Sequence, residues 1–408
     1  MLCGMDTNPL FSAALGLTPP WTVVETRFDA AAKRLDLRLD FTSGSRFTCP
    51  ECQSASCPVH DTSEKTWRHH DFWQHQTYLT ARVPRVRCDR CGTHQVTVPW
   101  ARPGSGFTLM LEALILELAK NMAVLPIARL LAVDDKTVWR VLEHYLEKAI
   151  ERIDASSVRQ VGVDETSARK RHDYVTLFFD LDQRRLLDVA DGKDHSTIAH
   201  FTEFLEHHRG SPQSVREVSC DLSPAFQKGI REHLPQAAVT FDRFHVAKLL
   251  GDAVDAVRRS EWRTDKTIKG TRFLVLKNPD RLNDKQRGLL QEALHRNANL
   301  AEAYRLKETF RDLYRQPDWQ SGRGFLKAWV TMALNSGLAP MRKAAHTIQL
   351  HWKGILRWFC SRLNNGIMEG LNSLIQAAKR KARGYRNHAT FRLVAYLIAG
   401  KLDFGISR

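Results

Sequence analysis

Apolar and polar residues alternate with a period of two in the first hundred residues of the chain. The alternation is clearest at Leu35, Leu37 and Leu39, which charged residues separate, and it returns between Tyr78 and Cys88. Such alternation predicts half-buried β-strands. Residues 20–100 are therefore expected to form a small β-rich module that ends at a linker containing Pro and Gly.

Past this linker the hydrophobic period becomes helical. Leu111, Ile115 and Leu118 recur on one helical face, a short second helix follows, and a third helix begins after a break at Asp134. Residues 105–152 thus have the pattern of a helix-turn-helix, whose last helix can enter the major groove of DNA. A plain helical connector is the alternative.

The first turns of the third helix carry the polar side chains that would reach base edges. These are Lys136, Thr137 and Arg140.

Short apolar strands alternate with helices over the next part of the chain. Strands are predicted at 160–165, 174–181, 185–189, 215–221 and 237–242, and helices at 195–207 and 224–234. This order indicates an α/β sheet of about five strands with helices packed on it. Beyond Phe244 the pattern stays helical to the end. The fold class is therefore multidomain, α+β and α/β.

The net charge of the chain indicates what kind of molecule it binds. The 408 residues include 61 Lys and Arg against 45 Asp and Glu, a formal net charge of +16, which favours a polyanion such as nucleic acid. No apolar stretch approaches the roughly 20 residues that span a bilayer. The first residues lack a basic start and include Asp6, so we expect no secretion signal and a cytoplasmic protein.

The cysteine spacing predicts a metal site. Four of the eight cysteines form two Cys-x-x-Cys pairs, namely Cys49 with Cys52 and Cys88 with Cys91. Four thiolates satisfy the tetrahedral preference of Zn²⁺ and leave no position for water, so the site would be structural. Cys57 and His60 lie close enough in sequence to replace one ligand, although we favour ordinary surface residues there.

Carboxylates predict a second site. Asp164, Asp221 and Asp242 each end a predicted strand, at the rim where open α/β sheets bind ligands. Glu369 lies on a helix in the segment Asn-Asn-Gly-Ile-Met-Glu-Gly-Leu-Asn. Two aspartates and one glutamate can hold two Mg²⁺ ions about 3.5–4 Å apart, an arrangement that cleaves phosphodiesters.

The helix of Glu369 is predicted to have two faces. The apolar face would comprise Ile367, Leu371, Leu374, Ile375 and Ala378, and the polar face Glu369, Asn372, Ser373, Gln376, Lys379, Arg380 and Arg383. A lone acid on a basic face is usually just solvated, so this observation gains weight only beside the aspartates. Lys379, Arg380 and Arg383 would then contact the DNA backbone.

The order of these motifs resembles the bacterial insertion-sequence transposases of the ISL-three family. The resemblance rests on CPEC, CDRC, the helix-turn-helix, VGVDE, VSCD, FDRFHVAK and NNGIMEGLNSLIQAAKRKARGYRN, and it covers about residues 20 to 400. It implies an RNase-H-like core with Asp164, Asp221 and Glu369 as a DDE triad that binds Mg²⁺ or Mn²⁺. Asp221 is preferred over Asp242 because the resemblance places the strand of Asp242 one position further out.

The resemblance also implies how the domains are divided. The expected divisions are a zinc ribbon at 20–100, a helix-turn-helix at 105–152, core segments at 158–258 and 359–408, and a helical insertion at 259–358. Cys57 is an extra cysteine relative to the family pattern. Asp242, Arg243 and His245 are expected to support the catalytic acids or to contact phosphate.

The predicted function is a nucleoid-associated DNA transposase. It would bind the terminal inverted repeats of its element, cleave phosphodiesters and join the ends to target DNA, as a homodimer or higher oligomer. Two alternatives are a non-catalytic DNA-binding regulator descended from a transposase and a structure-specific nuclease. Retention of all three acids argues against the first, and the two amino-terminal DNA-binding modules argue against the second.

Overall fold

The computed structural model describes residues 7–169, 173–363 and 365–406. The chain divides into two compact units, residues 1–145 with 403–408 and residues 146–402. Within the described ranges, no helix has both the length and the apolar character needed to cross a membrane.

The first unit contains a six-stranded β-sheet. Its strands are β1 (Trp21–Asp29), β2 (Arg34–Phe41), β3 (Arg46–Phe47), β4 (Cys57–Arg68), β5 (Gln76–Cys88) and β6 (Gly92–Gln95). They lie in the order β1-β2-β5-β4-β3, with β6 paired to β5. The alternating leucines of β2 are buried, as the period of two predicts. The sequence did not reveal β4, whose central residues are mostly polar.

In the described part of this unit, four helices accompany the sheet in sequence. They are α1 (Asn8–Ala14), α2 (Leu109–Ala119), α3 (Val124–Leu131) and α4 (Asp135–Glu151), the last of which continues into the second unit. Between α3 and α4 the chain turns at Ala132, in a left-handed conformation with φ of 52°. Asp134 then accepts a hydrogen bond of 2.7 Å from the backbone N–H of Lys136, which stabilises the start of α4. Ile127, Val138 and Leu142 are buried.

A five-stranded sheet forms the centre of the second unit. Its strands are β7 (Gln160–Arg169), β8 (Asp173–Asp180), β9 (Arg185–Asp191), β10 (Glu217–Cys220) and β11 (Ala238–Phe241), in the order β11-β10-β7-β8-β9. The pairs β7/β8 and β8/β9 are antiparallel, whereas β10 is parallel to both β7 and β11. Two helices lie between β9 and β11 in sequence, α5 (Ser196–His207) and α6 (Pro224–His233). Phe201 of α5 stacks on Phe178 of β8, with ring centroids 4.3 Å apart.

The remainder of the second unit is helical. Its helices are α7 (Arg243–Glu261), α8 (Arg272–Leu276), α9 (Asp284–Arg296), α10 (Ala298–Phe310), α11 (Trp319–Asn335), α12 (Ala339–Leu350), α13 (Trp352–Ser361), α14 (Gly366–Lys381) and α15 (His388–Ala399). Trp329 is fully buried among them and donates a 2.8 Å hydrogen bond to the carbonyl of Leu306. The fold is therefore mixed α+β, with a β-rich amino-terminal region and a helical carboxy-terminal region.

Candidate functional site

Strand register brings three aspartates to the same level. Ser219 of β10 pairs with Gly162 of β7 on one side and with Thr240 of β11 on the other. Asp164, Asp221 and Asp242 each follow two residues later, so they lie side by side in the order of their strands. Since neighbouring strands are about 4.8 Å apart, Asp221 lies one strand spacing from Asp164 and Asp242 about two.

Asp164 does not end its strand, contrary to the sequence-based expectation. β7 continues to Arg169 because β8 pairs with it along that length. On the other edge, however, β10 pairs with β7 only from Gln160 to Gly162. Asp164 therefore lies where β7 loses one of its two neighbours, which opens the side chain to a cleft.

Helix α14 approaches β7 closely at Gly162. A Cβ atom built on Gly162 would lie 2.0 Å from the Sδ atom of Met368, so the glycine is what allows Met368 to pack there. Met368 is 3% exposed. Glu369 is the next residue of α14, so the contact between Met368 and Gly162 places its carboxylate at the same cleft as Asp164.

Polar side chains join α14 to the sheet along its length. Asn372 donates to the Asp164 carboxylate (2.8 Å) and accepts from Thr166 (2.9 Å). One turn further on, Gln376 donates to the Thr166 hydroxyl at 2.6 Å. At the start of the helix, Ser219 donates to the Asn365 side chain at 2.7 Å. The helix that carries Glu369 is thus bonded to both β7 and β10.

We call the resulting cavity the acid cleft. It has a volume of ≈ 410 Å³, and its lining includes Asp164, Asp221, Asp242, His245, Asn365, Glu369, Asn372, Gln376 and Arg380. Burial raises the pKa of Asp164 above its ordinary value, and the charge of Asp221 adds to this shift. The hydrogen bond from Asn372 and the neighbouring His245 oppose it.

The chemistry of the acid cleft suits a hard divalent cation. Carboxylate oxygens are the ligands that Mg²⁺ and Mn²⁺ prefer, and Mg²⁺ usually keeps several waters beside one or two carboxylates. Within the described ranges the carboxylates do not form a closed cluster of three ligand atoms within 4.8 Å. The cavity volume of ≈ 410 Å³ leaves room for water and a phosphate oxygen.

Asp242, Arg243 and His245, which were expected to support the catalytic acids, make different contacts from one another. Asp242 caps α7 by accepting a 2.8 Å hydrogen bond from the backbone N–H of Phe244, and His245 lies 3.8 Å from its carboxylate. Arg243 does not line the acid cleft. Its guanidinium lies over the rings of Tyr314 and Trp358.

The faces of α14 differ in part from the prediction. Leu374 is 54% exposed, whereas Met368, which the prediction left out of the apolar face, is buried. Lys379 donates to the backbone carbonyl of Ser167, so its ammonium is already engaged. Arg380 is exposed, and Arg383 lies beyond the helix, which ends at Lys381.

The four predicted cysteines meet in the first unit. The Sγ atoms of Cys49, Cys52, Cys88 and Cys91 all lie within 4.8 Å of one another. The Sγ–Sγ distance is 3.3 Å for Cys49 and Cys91, 3.4 Å for Cys52 and Cys88, and 3.6 Å for Cys52 and Cys91. Zn–S bonds of about 2.3 Å in a tetrahedron require S···S separations of about 3.8 Å, so the cluster fits the ion. Backbone N–H groups of Arg90 and Cys91 lower the pKa of Cys88 to about 6, which favours the thiolate that zinc binds.

Neither additional candidate joins this cluster. Cys57 is buried, not a surface residue as expected, and its thiol faces the carbonyl of Ser54 at 3.5 Å. His60 is half exposed and lies 3.2 Å from Asp61.

The predicted recognition residues lie on the first turns of α4. Lys136 and Arg140 are exposed, and Thr137 is partly buried. Arg140 donates a 2.9 Å hydrogen bond to the Thr137 hydroxyl, so these two side chains form one polar surface.

Together, the cysteine cluster, the helix-turn-helix and the acid cleft define a metal-dependent protein that acts on DNA. Comparison with known families agrees at each module. Residues 161–395 match the DDE family of ISL3 described as "Transposase", and residues 96–146 match the helix-turn-helix domain of transposase family ISL3. Residues 45–91 match the zinc finger of transposases IS204, IS1001, IS1096 and IS1165.

The chain belongs to the ISL3 (ISL-three) family of DDE transposases. It is 28% identical to the transposase for insertion sequence element IS1001 of Bordetella parapertussis, over 84% of this chain and 86% of that protein. It is 26% identical to the transposase for insertion sequence element IS1557 of Mycobacterium tuberculosis, over 96% and 95%. The protein is thus a DNA transposase with a divalent metal ion at its catalytic site and a structural zinc.

Some residues of the site could not be recognised from sequence. Asn365, the residue just before α14, and Asn372, within it, flank the acid and are seven residues apart, which is close to two helical turns. Asn372 was assigned to the polar face without a partner, and Asn365 was not singled out. The Asn-Asn-Gly sequence that ends at Gly366 is the local sign of Asn365.

Proposed function

We propose that Asp164, Asp221 and Glu369 are the catalytic triad of this transposase and the ligands of its catalytic metal ions, within an RNase-H-like core. One observation carries the assignment: the pairing of Gly162 with Ser219 sets the two aspartates level on adjacent parallel strands. The sheet order β11-β10-β7-β8-β9 is consistent with that core. Along the chain, the antiparallel strands β7, β8 and β9 come first, and β10 and β11 follow, parallel to β7.

The side chains of the chain hold this triad in place. Asn372 orients the Asp164 carboxylate, and the contact between Met368 and Gly162 sets the position of Glu369. Asp242 lies one strand further out and caps α7, so we assign it a supporting role. Bound Mg²⁺ or Mn²⁺ would supply a nucleophilic water and stabilise the leaving oxygen.

The reaction proceeds in two steps at the same site. In cleavage, a water oxygen bonds to the scissile phosphorus as its bond to the 3′ oxygen breaks, which leaves a 3′-hydroxyl and a 5′-phosphate. In strand transfer, that 3′-hydroxyl attacks a phosphorus of the target strand and displaces the 3′ oxygen of that strand. The exposed Arg380 binds the DNA backbone beside the cleft.

The amino-terminal modules would select the DNA. In this proposal the zinc ribbon (20–100) and the helix-turn-helix (105–152) bind the terminal inverted repeats, with Lys136, Thr137 and Arg140 at base edges. Joining two ends of one element requires two active sites, so the working form is a homodimer or a higher oligomer. The catalytic core would comprise 158–258 and 359–408, interrupted by the helical insertion at 259–358.

The triad is tested by nicking a duplex that contains one terminal repeat. We expect Asp164→Asn, Asp221→Asn and Glu369→Gln to abolish Mg²⁺-dependent cleavage and to leave binding of the repeat intact, because each amide keeps the shape of the side chain and removes the charge. Asp242→Asn should retain measurable cleavage.

Asp252→Asn is the matched control, since Asp252 is an exposed aspartate of α7 that is not part of the acid cleft. It should cleave like the wild type. A fully active Asp221→Asn beside an inactive Asp242→Asn would overturn the assignment of the second aspartate.

A further inference from the structure

A second cavity lies beside the acid cleft in the same unit, and we call it the arginine pocket. Its volume is ≈ 530 Å³. Its own lining includes Arg243, Phe310, Arg311, Tyr314 and Arg315, and it shares Asp242, Phe244, Asn365 and Glu369 with the acid cleft. A group bound in this pocket would therefore lie next to the DNA at the proposed catalytic acids.

One of the three guanidinium groups is available to an anion. Arg311 pairs with Glu308 and Arg315 with Asp312, at 2.8 and 2.9 Å. Arg243 has no carboxylate partner in the described part of the chain. Its guanidinium is held 4.9 Å from the centroid of the Trp358 ring and 5.6 Å from that of Tyr314. A cation fixed in this way is well placed for a phosphate.

Two lining residues have buried donors without partners among the described residues. They are the side-chain amide nitrogen of Asn365 and the hydroxyl of Tyr314. Asn365 is 7% exposed, and its amide oxygen already accepts from Ser219. Buried donors are nearly always paired in folded proteins, so each such exception suggests a missing partner. Both residues line the pocket, so the two donors lie beside the space that a ligand would occupy.

An exposed aromatic ring completes the lining. Phe244 is 59% exposed and lines both cavities. Aromatic rings that are left exposed beside a basic groove are typical stacking platforms for nucleic-acid bases. A base stacked in a duplex could not reach Asn365, because the hydrogen-bonding edge of that base is already paired and Asn365 is buried.

We propose that the arginine pocket holds one nucleotide unstacked from the DNA beside the cleaved phosphodiester, with its phosphate at Arg243, its base against Phe244 and the polar edge of the base toward Asn365 and Tyr314. This inference rests on the proposed function, because it requires the cut strand to lie in the acid cleft. An enzyme that extrudes a base must overcome the cost of unstacking it, and this cost is lowest where the base is already unpaired.

The test measures affinity for duplexes that contain one terminal repeat and a single unpaired nucleotide, placed in turn at each position within three nucleotides of the cut. We expect unpairing at one position to raise affinity about tenfold, because the protein no longer has to separate that base. Unpairing at the other positions should change little.

Substitutions in the arginine pocket then test whether the gain in affinity arises there. Phe244→Ala, Arg243→Gln and Tyr314→Phe should each reduce the gain at that position, while Arg305→Ala, which removes an arginine paired with Glu302 and absent from the lining, should keep it. Tyr314→Phe should also leave the thermal midpoint of the DNA-free protein unchanged or raised, because the hydroxyl it removes has no partner.

Several outcomes would overturn the proposal. They are the absence of a gain at any position, an equal gain at all positions, and a gain that persists in all three pocket variants. A loss of affinity in Arg243→Gln that is the same for every duplex would indicate that the pocket binds only the backbone of paired DNA. If the wild type cleaves the fully paired repeat while one of these outcomes holds, the proposed function stands and only the nucleotide pocket fails. A wild type that neither binds nor cleaves the paired repeat would overturn both.

Discussion

Gly162 offers the sharpest test of how the catalytic glutamate is positioned. In Gly162→Ala the new methyl group would lie 2.0 Å from the Sδ atom of Met368, and 2.9 Å from both the Cγ atom of Met368 and the Cδ2 atom of Leu181. Ordinary contact begins at 3.4 Å, so the nearest atom would have to withdraw by about 1.4 Å. Met368 is buried on α14, directly before Glu369, so the helix that carries the acid must shift or Met368 must repack.

The overlap sets the expected losses in stability and in cleavage rate. Overpacking a well-packed core costs about 1–3 kcal/mol, which we expect as the loss in free energy of unfolding. A displacement of about 1 Å at a catalytic group costs about 100-fold in rate, so cleavage should fall by that order. Binding of the terminal repeat should remain, because the proposal assigns that binding to the amino-terminal modules.

The assay compares single-turnover cleavage and urea unfolding for Gly162→Ala, Met368→Ala and the double variant. The double variant should cleave faster than Gly162→Ala, because it removes the nearer of the two side chains that the new methyl group strikes. Gly324→Ala is the control, since a Cβ atom there meets nothing within 4 Å. Wild-type cleavage and stability in Gly162→Ala, or no recovery in the double variant, would refute this account of how Glu369 is placed.

Three further predictions concern the amino-terminal modules and the DNA backbone. Cys88→Ser should release zinc, measured by metal analysis, and weaken binding of the repeat, since metal binding energy is folding energy in small zinc modules; purified wild type without stoichiometric zinc would contradict this. Arg140→Ala should cost about 1–3 kcal/mol of binding and relax sequence preference. Arg380→Ala should weaken binding to all sequences and reduce the salt slope by about 0.9, and we choose it over Lys379 because that ammonium is already bonded to β7. Equal losses on specific and random DNA for both arginine variants would contradict the division of labour.

The sequence by itself determined the features that depend on near neighbours along the chain. The spacing within each Cys-x-x-Cys pair places two thiols on one turn, and the predicted four-cysteine set matches the cluster in the structure. Alternation at Leu35, Leu37 and Leu39 predicted a buried strand face, and the break at Asp134 predicted the start of α4. These features can be predicted from sequence because hydrophobic periodicity and helix capping depend only on residues close together in the chain.

The roles within the candidate site depended on contacts between distant segments. Three aspartates after three apolar segments look alike in sequence, and the family resemblance alone preferred Asp221 over Asp242. The pairing of Gly162 with Ser219 and Thr240 shows which acids are adjacent, because register is set by hydrogen bonds between strands about 20 to 60 residues apart. Assignment of the catalytic role to Asp221 remains a prediction for the cleavage assay.

The packing of α14 was likewise decided only by the tertiary structure. Periodicity predicts Leu374 on the apolar face, yet Leu374 is exposed and Met368 is buried, because Met368 packs against Gly162, which has no side chain. The bond of Lys379 to the Ser167 carbonyl and the position of the Arg243 guanidinium over Trp358 also depend on where other elements pass. A hydrophobic period describes one helix alone, whereas the residue that is buried or bonded depends on the surface against which that helix packs.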